Sequence, residues 1–145
     1  MSSKEVVKHL NIVLAETYAL YLKTQNCHWN VTGPNFHSLH GMFEEQYKEL
    51  AEAIDEIAER IRALGEKVEA SFAYFDKAKS ISDAKSANSS ESMLKDLLQS
   101  QEIVIGKLVE LSDVAAAQGD KASEDMAVQR LHAHEKQRWM LSSSL

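Results

Sequence analysis

Apolar residues recur at intervals of three and four along most of the chain, the spacing that places them on one face of an α-helix. The clearest series runs from Phe36 to Leu64 and covers about eight helical turns. Three further series have the same period, and the last of them, in the fourth helix, is less regular than the others. The sequence therefore predicts four helices, which cover residues 4–31, residues 36–65, a stretch from residues 88–91 to Gly119, and residues 121–141.

Residues that start and stop helices stand at the ends of these series. Gly33 and Pro34 end the first helix, and Asn35 is placed to cap the second. The segment NSSE at residues 88–91 resembles a start signal for the third helix, and the chain breaks again at Gly119 and Asp120. Two of the three connections are thus short turns, which predicts two antiparallel helical hairpins.

The third connection, residues 66–88, is long and rich in Ser, Ala and Lys. It contains the aromatic cluster SFAYF at residues 71–75, which favours a short helix or local packing. Some 23 linker residues can span roughly 75 Å, whereas the second helix is about 45 Å long. The connection can therefore cross back along the whole bundle. We expect an all-α protein with a ferritin-like four-helix bundle and a long crossover between its second and third helices, forming a single domain over residues 1–145.

The composition supports the helical interpretation and limits the classes of partner that the protein is expected to bind. Five glycines and one proline leave little turn material in 145 residues. A formal net charge of −6 makes nucleic acid and anionic lipid poor default partners and suits cations such as metal ions. The chain shows neither a signal segment nor a long apolar run, and its single cysteine cannot form an internal disulfide, so we expect a cytoplasmic protein without a membrane association.

The turn between the first two helices concentrates side chains that bind metals. His28 and His40 lie about six positions from the turn on either side, so a tight hairpin brings them to nearly the same height. His40 and Glu44 are four residues apart on the second helix, as are Asp55 and Glu59. Each pair therefore lies on one helical face, within reach of a single ion.

The two pairs cannot serve one ion within a single chain. Eleven residues separate Glu44 from Asp55, which amounts to about 16 Å along the helix axis. The same eleven residues turn the helix by three revolutions plus roughly 20°, so both pairs point in nearly the same direction.

Antiparallel pairing of the second helix with its own copy removes this separation. A two-fold axis between residues 49 and 50 places His40 opposite Glu59 and Glu44 opposite Asp55 at the same time. Two identical sites result, each built by both subunits, and the small residues on or beside this strip allow close approach of the helices. They are Gly41, Ala51 and Ala58.

The resulting donors mix imidazole nitrogen with carboxylate oxygen. This set suits iron, manganese or zinc, and the motif Glu-x-x-His used by intrachain diiron bundles does not occur. Spacing alone leaves a solvated acidic helix face as an open alternative. Of the remaining histidines, His37 is interpreted as a surface or secondary residue, and His132 and His134 are assigned no metal. Cys27 is interpreted as a packed thiol.

Three motifs together resemble the Dps miniferritins, the DNA-binding proteins from starved cells: HWNVTGPNFHSLH, FEEQYKELAEAIDEIAERIRALG and HEKQRWML. The resemblance implies a hollow dodecamer built from two-fold dimers. It also implies a ferroxidase that oxidises Fe(II), preferentially with hydrogen peroxide, stores the ferric oxide and protects against oxidative stress. The implied ligands are His28, His40, Asp55 and Glu59, together with Glu44, which stands where the family commonly has Asp. Trp29 matches a family tryptophan beside the site that intercepts stray oxidising equivalents.

The same resemblance suggests Asp120, Glu124 and Asp125, near the start of the last helix, as candidates for lining iron-entry pores. Direct DNA binding is not expected, because the segments MSSKEVVKHL and SSSL lack the lysine-rich character that family members use for it. Two rival hypotheses remain: a metal-binding cage without catalysis, holding zinc or another divalent ion, and a structural helical protein whose polar strip only specifies its dimer.

Overall fold

The computed structural model describes residues 3–85 and 89–145, and all its regular structure in these ranges is helical. The helices are α1 (Lys4–Asn30), α2 (Phe36–Ala63), α3 (Phe72–Ala78), α4 (Ser90–Ala117) and α5 (Lys121–Ser143). The four long helices lie within a few residues of their predicted bounds. The short α3 lies inside the long connection and contains most of the aromatic cluster.

The four long helices pack as two hairpins. α1 lies along α2, α4 lies along α5, and α1 also packs against α4 so that the hairpins share one core. The largest fully buried side chains come from all four long helices and from the crossover; they include Leu10, Leu14, Phe43, Ile57, Ile81, Leu97, Leu108 and Leu141. The predicted all-α bundle with a long crossover is confirmed. None of the described helices is long and apolar enough to cross a bilayer.

Turns and caps explain where the helices begin and end. Gly33 has a φ of 109°, a conformation that residues with a side chain rarely adopt, and it closes the α1–α2 turn. Ser89 caps α4, since its side chain accepts a hydrogen bond from the Ser92 amide. Asn88, the first residue of the predicted start signal, lies outside the described residues. Asn35 occupies the cap position of α2, but its side chain makes no capping hydrogen bond.

Two buried charges attach the crossover to the bundle. Glu16 is fully buried in α1 and accepts hydrogen bonds from the backbone amides of Ser80 (2.7 Å) and Ile81 (3.1 Å). Lys23 donates to Ser82 Oγ and forms an ion pair of 2.9 Å with Asp96 on α4. Because buried charges are costly without partners, these contacts fix the path of the crossover.

Candidate metal centre

The α1–α2 turn places two histidines side by side. His28 lies in the last turn of α1 and His40 in the second turn of α2. Their rings stack with centroids 3.8 Å apart and planes 14° from parallel. His28 is buried, whereas His40 is half-buried. The turn therefore brings His28 and His40 to the same height in the hairpin, as the sequence predicted.

The two histidines orient each other through backbone carbonyls. His28 Nδ1 lies 2.8 Å from the carbonyl oxygen of His40, and His40 Nδ1 lies 2.7 Å from the carbonyl oxygen of His28. The His28 carbonyl is available because the last four carbonyls of a helix have no intrahelical partner. A carbonyl only accepts, so each Nδ1 carries the proton and donates it. In the neutral rings both Nε2 lone pairs are consequently free to bind a metal ion.

Glu44 adds a carboxylate to the histidine pair. Its Oε1 lies 3.7 Å from His28 Nε2, while its Oε2 accepts a hydrogen bond of 3.2 Å from Lys48. The hydrogen bond and the charge of Lys48 are the largest causes that lower the pKa of Glu44, and the two histidines contribute less. Lys48 thereby favours the ionised form of the Glu44 carboxylate, which is the form that binds metal ions.

One ligand atom from each of His28, His40 and Glu44 lies within 4.8 Å of the others. The group could offer two nitrogens and one oxygen to a metal ion. Asp55 and Glu59 do not join it within the chain: both are exposed on α2 and make no hydrogen bond or ion pair with any described residue. Asp55 and Glu59 lie farther along α2 than Glu44, and their assignment to a site shared with a second chain stays a prediction.

The remaining candidate residues occupy different surroundings. Trp29 is 62% exposed and makes no ring contact with the described residues. Cys27 is buried, and burial together with the charge of Asp96 raises the pKa of its thiol to about 12. The thiol thus stays protonated at neutral pH and is not a ready nucleophile. His37 is exposed in the first turn of α2.

Of the three pore candidates, Asp120 is already engaged. It caps α5 by accepting from the Ser123 amide, and it pairs with Arg60 at 2.9 Å. Burial alone raises the pKa of Asp120, but the Ser123 hydrogen bonds and the Arg60 charge outweigh burial and hold that pKa below its usual value. Glu124 is half-buried and Asp125 is exposed, and neither side chain has a hydrogen-bond partner among the described residues.

Two features of the structure were not predicted from the sequence. The first is Tyr47, which lies within the apolar series of the second helix and whose ring meets the His28 ring edge-on at 5.2 Å. Period counting cannot reveal this contact, because it joins two helices.

The second is a closed ring of hydrogen bonds between α2, α4 and α5. Arg130 donates hydrogen bonds to Glu49 and to His134 Nε2. His134 Nδ1 donates to Gln101 Oε1. Gln101 Nε2 donates to Gln137, and Gln137 Nε2 donates to Glu49, which closes the ring. Burial first, and then the charge of Arg130, lower the pKa of His134 well below its usual value. Four of these five residues are buried, so the ring is a polar element of the core.

The chain is similar in sequence and in structure to known proteins of one family. The family model of the ferritin-like domain matches residues 7–145. DNA protection during starvation protein 2 of Bacillus anthracis is 35% identical over 143 residues, which cover 99% of this chain and 98% of the relative. The crystal structure of Dps from Staphylococcus aureus superposes with a TM-score of 0.96 at 35% identity, covering 99% of this chain and 97% of that one. The chain belongs to the Dps family of ferritin-like proteins.

A second Dps structure agrees with this assignment. Dps from Vibrio cholerae, described as a member of a broad superfamily of ferritin-like diiron-carboxylate proteins, has a TM-score of 0.93 at 30% identity and covers 97% of this chain and 90% of that one. The resemblance inferred from the three sequence motifs is confirmed at the level of fold and family. In this Dps chain, the histidine pair and Glu44 are the described group whose geometry suits a metal ion.

Proposed function

We propose that this Dps chain is a ferroxidase and an iron store. It oxidises Fe(II) with hydrogen peroxide at sites shared by two subunits, and it holds the ferric oxide inside a dodecameric shell built from two-fold dimers. The observation that carries the proposal is the half-site of His28, His40 and Glu44, with the free carboxylates Asp55 and Glu59 farther along the same helix face. The proposed place of action is the cytoplasm, where the activity protects against oxidative stress.

The exposed face of α2 supports a shared site. Pairing two copies antiparallel about a point between residues 49 and 50 sets Glu44 opposite Asp55, and it sets Gly41 opposite Ala58. Gly41 is exposed, and a Cβ built on it meets no atom within 4 Å apart from the adjacent residues and the neighbouring backbone of its own helix. The chain itself therefore gives no packing reason for glycine there, whereas a close-approaching partner helix does.

The donor set suits ferrous iron as the substrate. Two imidazole nitrogens and several carboxylate oxygens are ligands that iron accepts, and the carboxylates balance its charge. The diiron-carboxylate description of the Vibrio cholerae relative points to the same metal.

Holding two ferrous ions at one site explains the choice of oxidant. Two Fe(II) supply two electrons to one H₂O₂, giving two Fe(III) and two hydroxide ions without release of hydroxyl radical. The imidazoles of His28 and His40 and the carboxylates of Glu44, Asp55 and Glu59 hold the ions close enough to react together. Trp29, beside His28, is proposed to intercept oxidising equivalents that escape.

Anaerobic titration with Fe(II), followed by hydrogen peroxide, tests the proposal. We expect two Fe(II) to be consumed for each peroxide, with the ferric product remaining soluble with the protein. Glu110→Ala, a change of an exposed carboxylate on α4, is the matched control and should behave as the wild type. Binding of Fe(II) without use of peroxide would instead favour the metal-binding cage, and absence of metal binding would favour the structural protein.

Direct DNA binding is not expected, although the Bacillus anthracis relative is named for DNA protection. A net charge of −6 opposes approach to a polyanion, and the basic residues Lys4 and Lys8 near the start of α1 are accompanied by Glu5. In a gel-shift assay at low salt and neutral pH, without added divalent cations, the DNA should migrate unretarded. Tight retardation under these conditions would contradict the expectation.

A further inference from the structure

All four tyrosines of the chain lie in one file of aromatic rings that begins at the histidine pair. The Tyr47 ring lies 5.2 Å from the His28 ring, and the Tyr21 ring lies 6.0 Å from that of Tyr47. Tyr18 follows at 5.7 Å from Tyr21. Beyond Tyr18 the file passes through Phe75 at 4.9 Å to Tyr74. The first three tyrosines are therefore in unbroken sequence from the site.

Packing alone does not require hydroxyl groups along this file. Tyr18, Tyr21 and Tyr47 are all half-buried, and the ring of a phenylalanine fills the same space as the ring of a tyrosine. The Tyr21 hydroxyl is further held by a hydrogen bond of 3.1 Å from Gln25. A phenol differs from a phenyl ring in that it can give up one electron and one proton together. That difference matters beside a site that handles peroxide.

We propose that Tyr47, Tyr21 and Tyr18 form a one-electron relay that serves the site when only one Fe(II) is bound. This inference rests on the proposed ferroxidase function. One Fe(II) gives one electron to H₂O₂, and the Tyr47 phenol gives the second electron together with its proton. The products are Fe(III), one hydroxide ion, one water molecule and a neutral tyrosyl radical. The O–O bond is broken with two electrons, so no hydroxyl radical leaves the site.

The file also allows the radical to be transferred away from the site and then reduced. Tyr21 and Tyr18 can each pass an electron and a proton back towards Tyr47, which moves the radical away from the imidazole ligands. Phe75 has no phenol and ends the relay. A second Fe(II) then restores the tyrosine by giving one electron while a proton is taken up, so two Fe(II) are again consumed for each peroxide.

Trp29 is a second residue that can be oxidised near the site, and its surroundings differ from those of Tyr47. Its side chain is 62% exposed and lacks a ring contact in the described part of the chain, so it can intercept species that leave the site. The Tyr47 ring contacts the ring of His28, a proposed ligand. Tyr47 can therefore supply the second electron to the peroxide before a radical is released from the site. The relay therefore predicts a radical on tyrosine, not on tryptophan.

The test uses the assembled protein with Fe(II) equimolar to the sites, mixed anaerobically with one equivalent of H₂O₂ and frozen for electron paramagnetic resonance. We expect a tyrosyl signal in the wild type and its loss in Tyr47→Phe, which keeps the ring that packs on His28. Spin-trapped hydroxyl radical and oxidation of His28 and His40, mapped by mass spectrometry, should rise in that variant. Tyr74→Phe is the matched control, because Phe75 separates Tyr74 from the relay, and it should retain the signal.

A parallel sample with two Fe(II) per site separates failure of the relay from failure of the function. If neither the wild type nor any variant consumes peroxide in this sample, the ferroxidase proposal itself is wrong. If all consume one peroxide per two Fe(II), but the equimolar samples give no tyrosyl signal or keep it in Tyr47→Phe, the relay is overturned. A radical lost only in Trp29→Phe overturns it as well.

Discussion

Co-assembly of His40→Ala and Asp55→Ala chains is expected to restore peroxide-dependent iron oxidation that neither variant shows alone. In a mixed dimer, one site combines the intact His40 of the Asp55→Ala chain with the intact Asp55 of the His40→Ala chain. The other site carries both lesions. Since exchange between half-sites is the only source of recovery, the experiment tests the shared geometry directly. The measurement is the initial rate of Fe(III) formation after peroxide is added.

A second mixture provides the matched control. His40 and Glu44 belong to the same half-site, so every site in a mixed dimer of His40→Ala and Glu44→Ala chains lacks one of them. This mixture should stay inactive. Mixed dimers are verified by tagging the two chains differently and purifying on both tags. Recovery in the control mixture, or none in the His40 and Asp55 mixture, would show that the site is not divided as proposed.

The bundle was predictable from the sequence because its helices are amphipathic and their ends carry strong signals. Gly33, Gly65 and Gly119 all adopt positive φ, and each follows a helix within a few residues. Such positions tolerate few other residues, so they mark helix ends reliably. The crossover was predictable in length but not in path, which depends on the buried contacts of Glu16 and Lys23 with distant residues.

The half-site was predictable in its membership but not in its hydrogen bonding. Spacing along one helix and symmetry of the turn are enough to bring His28, His40 and Glu44 together. The exchange of Nδ1 hydrogen bonds for backbone carbonyls depends on side-chain rotamers, which periodicity does not determine. The contact of Tyr47 with His28 is hidden for the same reason. Assignment of Asp55 and Glu59 to the site stays a prediction until two chains are brought together.

Buried polar residues mark the main limit of pattern-based inference in this chain. Gln101, Arg130 and His134 fall on core-facing positions of α4 and α5, where an apolar residue is the usual expectation. Each is acceptable only because its partners on another helix complete a closed ring. The irregular apolar series of the last helix is thereby explained, since part of its inward face is polar.

This ring makes the fold sensitive to acid, and His134→Gln should reduce that sensitivity. Burial and the Arg130 charge hold the pKa of His134 well below 6.5, the value expected in the unfolded chain. Below pH 6.5 the unfolded state therefore binds more protons than the folded state. The free energy of unfolding should fall by up to about 1.4 kcal/mol per pH unit as the pH drops from 6.5 towards the folded-state pKa.

Glutamine at position 134 offers an amide donor towards Gln101 and a carbonyl acceptor towards Arg130, but it cannot take up a proton in this range. Urea unfolding of the metal-free protein between pH 7.5 and pH 5, followed by circular dichroism, should show a smaller loss of stability for His134→Gln than for the wild type. His132→Gln, an exposed change on the same helix, controls for the loss of a histidine as such. Equal pH dependence in the wild type and His134→Gln would mean that His134 is not held neutral by the ring, because no other group differs between the two proteins.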